Sequence, residues 1–168
     1  MSKKLIIKGK KTFDKLHNKI PKRDVKWADN KTLLNEKGQT TLLNNLFLEN
    51  NYDGDVLVKR EVERKIRSYK SQDIKKNLFD ESKFISYEDT MEKLVVSKLK
   101  CYYCRDNCLL MYNNIREKKQ WTLDRIDNSD GHTSENTVIC CLDCNLKRGT
   151  LNDEKFKFTK QLNIIKKY

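Results

Sequence analysis

Long apolar runs are missing from this sequence. No segment of its 168 residues approaches the roughly 20 apolar residues of a membrane-spanning helix. Near Met1 the only apolar run is Leu5-Ile6-Ile7, with lysines on both sides, and this lacks the apolar stretch of a secretory signal. The expectation is therefore an intracellular, reducing compartment and no membrane partner. Proline occurs once, at Pro21, and histidine twice, at His17 and His132. Internal repeats are absent. Apolar residues make up 37% and charged residues 36%, so the hydrophobic core must be modest. That composition suits one domain, or a small domain with an extension, and such a chain gains from a staple.

Positive charge and cysteine are what the chain has in excess. The formal net charge is +12, which points to a polyanionic partner, nucleic acid ahead of an acidic membrane. Residues 1–26 hold ten Lys/Arg and two Asp and show no clear period. They read as a basic arm, flexible by composition. Six cysteines in a reducing compartment argue for metal rather than disulfides, the more so because four fall in Cys-x-x-Cys pairs.

Residues 27–83 read as mostly helical. Leu42, Leu43, Leu46, Phe47 and Leu48 are dense enough for a short helix or a buried strand, and periodicity does not decide between them. Asp53-Gly54 marks a turn. Val58, Val62, Ile66 and Tyr69 then define one face of a helix over about 58–76. Its outer faces carry Lys59, Arg60, Arg64, Lys65, Arg67 and Lys70, suited equally to phosphate contact and to solvent. Ser86-Tyr-Glu-Asp89 is a variant capping box, opening a helix to about Ser97 with Met91, Leu94 and Val95 inward. Leu109 to Tyr112 reads as a short strand, as do Trp121 to Ile126 and Thr137 to Cys140. The turn-rich Asp127-Asn-Ser-Asp-Gly131 lies between the last two. A short helix from Leu142 should stop at Gly149. Asn152 or Asp153 caps a last helix with Phe156, Leu162 and Ile165 apolar.

The pairs Cys101/Cys104 and Cys141/Cys144 flank residues 105–140, room for a loop and a β-hairpin. Four thiolates close a tetrahedral zinc site, and such a site is structural because it leaves no open position. Cys108 and Cys140 are left over. Either can replace a ligand, and Cys140 reads as a small core residue, pointing away from Cys141 along a strand. The clip draws Asp124, Asn136 and Asn145 together. Asp and Asn offer hard oxygen ligands, suited to Mg²⁺ or Mn²⁺. A strand–loop–strand–helix unit pinned this way can set the Asp124 carboxylate and the Asn145 amide oxygen on one cation.

The order Cys-x-x-Cys, Leu-Asp-Arg-Ile-Asp, Gly-His, Glu-Asn, Cys-x-x-Cys-Asn-x-x-Arg-Gly resembles the HNH, or ββα-metal, endonucleases. It is nearest to their zinc-containing branch in phages and large DNA viruses. The resemblance covers about residues 84–160. It implies an α+β fold with a zinc-stapled ββα-metal module over 84–168, flanking helices and a basic N-terminal extension. It implies Asp124 and Asn145 as ligands of a catalytic Mg²⁺ or Mn²⁺. Asn136 would orient the site through hydrogen bonds, and Lys147 and Arg148 would hold DNA phosphate.

The departure is Arg125, in the slot where the family carries its general-base His. A guanidinium has no acceptor and stays charged, so it cannot take a proton from water. It can clamp a phosphate or stabilise transition-state charge. Three outcomes stay open: His132 folds back as base, Asp127 orients the water, or the site binds DNA without cutting it. The leading expectation is a metal-dependent DNA endonuclease. The rivals are a zinc-stabilised DNA-binding accessory protein and a zinc-stapled protein-interaction module. Cutting both strands would favour a homodimer.

Overall fold

The computed structural model describes residues 22–162, which form a mixed α+β structure. Six helices and two strands follow in the order α1 (Lys31–Leu34), α2 (Gln39–Phe47), α3 (Asp55–Lys75), α4 (Tyr87–Val96), β1 (Trp121–Arg125), β2 (Thr137–Cys141), α5 (Leu142–Arg148) and α6 (Asp153–Gln161). No described helix is long and apolar enough to cross a membrane. His17, Ile165 and most of the basic arm lie outside the described residues.

The helices start where the local chemistry sets them. Gly54 precedes α3 with φ +92°, a conformation that strains any residue with a Cβ. Ser86 and Asp89 close the predicted capping box: the Asp89 N–H donates to Ser86 Oγ at 2.9 Å, and the Ser86 N–H donates to Asp89 Oδ2 at 3.2 Å. Asn152 accepts from the Lys155 N–H and so caps α6. The Leu42–Leu48 cluster resolves as helix, with Leu42 and Leu43 buried and Leu48 exposed. Val58, Val62 and Tyr69 of α3 are buried as the period requires, and Met91 and Leu94 of α4 pack into the same core. Each fully buried Leu or Val here is worth about 1.5–3 kcal/mol over its exposed state.

The expected strand at Leu109–Tyr112 does not form. Only an isolated bridge joins Leu109 to Gln120. The buried Gln39 side chain takes the backbone groups a strand partner would use. Its Oε1 accepts from the Leu110 and Met111 N–H groups, and its Nε2 donates to the Met111 carbonyl. Further along, Leu162 is half exposed at the end of α6 rather than packed.

β1 and β2 pair antiparallel, with Trp121 opposite Cys141 and Arg125 opposite Thr137. A two-stranded sheet has two bare edges, and bare edges invite foreign strands. Here side chains, and one backbone N–H from the Cys101–Cys104 turn, close much of both. On the β1 edge, Lys65 donates to the Trp121 carbonyl and the Leu123 N–H donates to the Tyr69 hydroxyl. Asn145 and Arg148 donate to the Leu123 and Arg125 carbonyls. On the β2 edge, Lys93 Nζ donates to the Thr137 carbonyl and the Tyr102 N–H to the Ile139 carbonyl.

A ladder of alternating rings and cations ties the N-terminal segment to this sheet. Arg23 lies between Trp27 (5.2 Å) and Tyr112 (4.8 Å), and Lys65 between Tyr112 (5.1 Å) and Trp121 (4.7 Å). Arg23 also pairs with Glu61 at 2.7 Å. Burial pushes the Lys65 amine well down from the usual lysine range. Two rings, the Gln120 amide oxygen and the Trp121 carbonyl surround it.

Candidate functional site

The four paired cysteines meet. The Sγ atoms of Cys101, Cys104, Cys141 and Cys144 all lie within 4.8 Å of one another. A tetrahedral zinc site with Zn–S bonds of about 2.3 Å needs sulfurs roughly 3.8 Å apart, so this grouping can hold a structural metal such as zinc. Like charges this close repel. Hydrogen bonds from Cys108 and Cys141 drive the Cys101 thiol down, while burial pushes Cys104 up to about 12. A cation at the centre would relieve that conflict. Cys141 also caps α5, its sulfur accepting from the Cys144 N–H at 3.4 Å. Of the two spare thiols, Cys108 sits beside Cys101. Cys140 is buried in the core and contacts Thr122 Oγ1 at 3.2 Å, as alternation along β2 predicts.

The residues that chemistry asks for are each engaged elsewhere. Asp124 is buried, and Arg148 grips its carboxylate with both arms: Nε to Oδ2 at 2.6 Å and an Nη to Oδ1 at 3.0 Å. The Tyr103 hydroxyl donates to the same Oδ2 at 2.6 Å. Arg148 is therefore not a phosphate contact in this structure; it is 2% exposed and locked inside the fold. Asn145 stands one helical turn earlier and reaches the neighbouring backbone. Its Nδ2 donates to Thr122 Oγ1 at 3.1 Å and to the Leu123 carbonyl at 3.5 Å. Asp124 and Asn145 thus flank one stretch of β1, and no hydrogen bond joins them to a shared point.

On the other face of β1, Arg125 points away from Asp124. Its guanidinium donates to the Asp130 carbonyl at 2.8 Å and lies 3.9 Å from Asp73 Oδ1. His132, which the sequence left open as one candidate for the base, lies in the loop between the strands and is 4% exposed. Its Nδ1 lies 2.7 Å from Asp73 Oδ1, its N–H donates to Asp73 Oδ2, and its ring packs on Tyr69 at 4.7 Å. Burial holds its pKa below the ordinary histidine value, although Asp73 and the ring nitrogen attract one another. Asp127 is exposed and spends its Oδ1 on Ser129 of its own turn, and those bonds lower its pKa. Lys147 is exposed and pairs with Asp143 at 2.6 Å.

Asn136 is engaged within the loop between the strands. Its Oδ1 accepts from the Asp127 N–H, and its Nδ2 donates to the Asp127 and Gly131 carbonyls. It braces the loop between the strands. Gly131 in that loop is required by contact: a Cβ there would meet the Leu78 carbonyl oxygen at 2.5 Å.

Three partners were invisible in sequence. Tyr103 sits inside the first Cys-x-x-Cys and reads there as spacer. Asp73 falls on the apolar stripe of α3, four residues after Tyr69, and that position was the one available clue. Lys65 looked like another outer cation of α3. No family model, no curated protein and no solved structure matches the chain.

Proposed function

We propose that this protein is a zinc-stapled DNA-binding protein built on a ββα-metal plan. One observation carries this reading. The carboxylate that would have to hold a catalytic cation, Asp124, is buried and already neutralised by a two-armed contact from Arg148. Breaking such a pair costs about 3–5 kcal/mol, a penalty any cation must overcome to take its place. The proposed base is enclosed as well. What remains is zinc at the four thiolates, a rigid scaffold and a net charge of +12 that seeks phosphate. Zinc here has no reaction to perform; it holds β2, α5 and the Cys101–Cys104 turn in register.

A second reading, metal-dependent endonuclease, rests on the placement of Asp124 and Asn145 along the same stretch of β1. Arg148 then stands where the cation's charge would go. Under this reading Mg²⁺ or Mn²⁺ supplies Lewis-acid stabilisation of the attacked phosphate. Asp124 and Asn145 are the residues to hold it, and Arg125, enclosed by Asp130 and Asp73, is not available to grip phosphate.

Two measurements separate the readings. Fluorescence anisotropy on a labelled duplex, titrated across KCl, should show affinity falling linearly in log–log form with salt. Affinity that ignores salt refutes the DNA-binding proposal and favours a protein-interaction module. Supercoiled plasmid with Mg²⁺ or Mn²⁺ should stay intact. Nicking that disappears with Asp124→Asn establishes the nuclease instead.

A further inference from the structure

α3, β1 and α5 line a groove of about 320 Å³ at the covered edge of the sheet, with Tyr69, Tyr112, Leu142 and Leu146 as its apolar half. Ligand pockets run roughly 300–1,000 Å³, so this one admits a fragment of one nucleotide and excludes a duplex. Its lining is unusual in its amides. Gln120, Asn145 and Gln72 all face it, with Ser68 and Thr122 between them and Arg64 at the side.

Gln120 and Asn145 are pinned at one end, and Gln72 makes a long contact within its own helix. The Gln120 Oε1 accepts from Lys65 at 3.0 Å, the Asn145 Nδ2 donates to Thr122, and the Gln72 Nε2 donates to Ser68 at 3.5 Å. Among the described residues the other end of each has no hydrogen-bond partner. The groove therefore presents a fixed donor, the Gln120 Nε2, and a fixed acceptor, the Asn145 Oδ1, with the exposed Gln72 amide at its rim. Side-chain amides match the paired donor and acceptor edge of a nucleobase. Arg64 is half exposed at the same site and pairs with Glu61 at 3.1 Å; turned from that exposed pair, its guanidinium can meet the attached phosphate.

We infer that this groove receives a single unstacked nucleobase from a DNA strand. The inference rests on the DNA-binding reading and sharpens it: the preferred substrate carries an extruded or unpaired base. A base already out of the stack avoids the unstacking cost, so a bulged duplex should bind better than a perfect one.

The test compares two labelled duplexes of equal length, one fully paired and one with a single central bulged adenine. Binding is read by anisotropy at fixed salt. Wild-type protein should prefer the bulged duplex by about tenfold, the discrimination that one good amide–base contact supplies. Ser68→Phe fills the groove from an exposed helix position and should abolish that preference while leaving affinity for the perfect duplex unchanged. Thermal melting of the variant checks that the fold is kept. Gln72→Ala, also at the surface, should reduce the preference without removing it. Equal affinity of wild-type protein for both duplexes overturns the groove and leaves DNA binding standing. Failure to bind either duplex overturns the DNA-binding reading itself. A preference that survives Ser68→Phe in a folded variant also refutes the inference.

Discussion

Replacing Arg148 by Met tests the central contact of the domain. Met keeps most of the volume and removes the charge. The wild-type guanidinium donates to both Asp124 oxygens and to the Arg125 and Leu151 carbonyls. Its loss leaves a buried carboxylate with the Tyr103 hydroxyl as its remaining donor. Removing one partner of a buried pair costs about 3–5 kcal/mol. At roughly 2–4 °C per kcal/mol for a chain of this size, the melting temperature should drop by roughly 6–20 °C. Urea unfolding should show a lower midpoint at unchanged slope. The companion variant Asp124→Leu/Arg148→Met removes both charges, and it should be more stable than Arg148→Met alone. If Arg148→Met lies within about 1 kcal/mol of wild type, the pair behaves as an exposed one and the closed site is refuted. If the double variant loses the sum of the two single losses, the two groups are not coupled.

Three further outcomes are expected. Metal analysis should find one zinc per chain; Cys104→Ser should lose it, with near-ultraviolet circular dichroism collapsing on chelation, whereas Cys140→Ser should retain it. The folded-state pKa of His132 is depressed by burial, so its contribution to stability is complete above the unfolded value of about 6.5. It should be lost as pH falls through the folded value, and His132→Gln should flatten that part of the stability–pH curve; identical slopes for the two proteins would sink the idea. Gly131→Ala forces a Cβ against the Leu78 carbonyl and should lose about 1–3 kcal/mol in denaturant unfolding, while Gly38→Ala, whose nearest neighbours lie at 3.7 Å, should change little.

Where one local rule governs, the sequence was legible. The helical period of α3, the capping box at Ser86 and the alternation of β2 each depend on neighbours a few residues apart. The thiol grouping was legible too, because two Cys-x-x-Cys pairs leave few alternatives. Asp124 and Arg125 fall on β1, Asn136 at the end of the loop before β2 and Asn145 on α5, the elements expected for them. The partners that enclose Asp124, Arg125 and His132 were not visible, because Tyr103, Arg148 and Asp73 are distant from them in sequence. Asp73 reaches His132 from 59 residues away and Gln39 reaches Leu110 from 71. Arg148 illustrates the limit best. A basic residue after a ligand motif has the same letters whether it points to a phosphate or back to a carboxylate. Only packing decides, and here α5 lies across β1 with Arg148 turned inward.

The ladder from Trp27 to Trp121 has an optical consequence. These are the chain's two tryptophans, and they end the stack on opposite sides, each against a cation and each almost fully buried. Indole emission is therefore a built-in readout of two separate junctions. Trp27 reports whether the segment around Arg23 is seated, and Trp121 reports whether α3 covers the strand. With one of them changed to Phe, the remaining emission follows one junction at a time, with no label added to the protein.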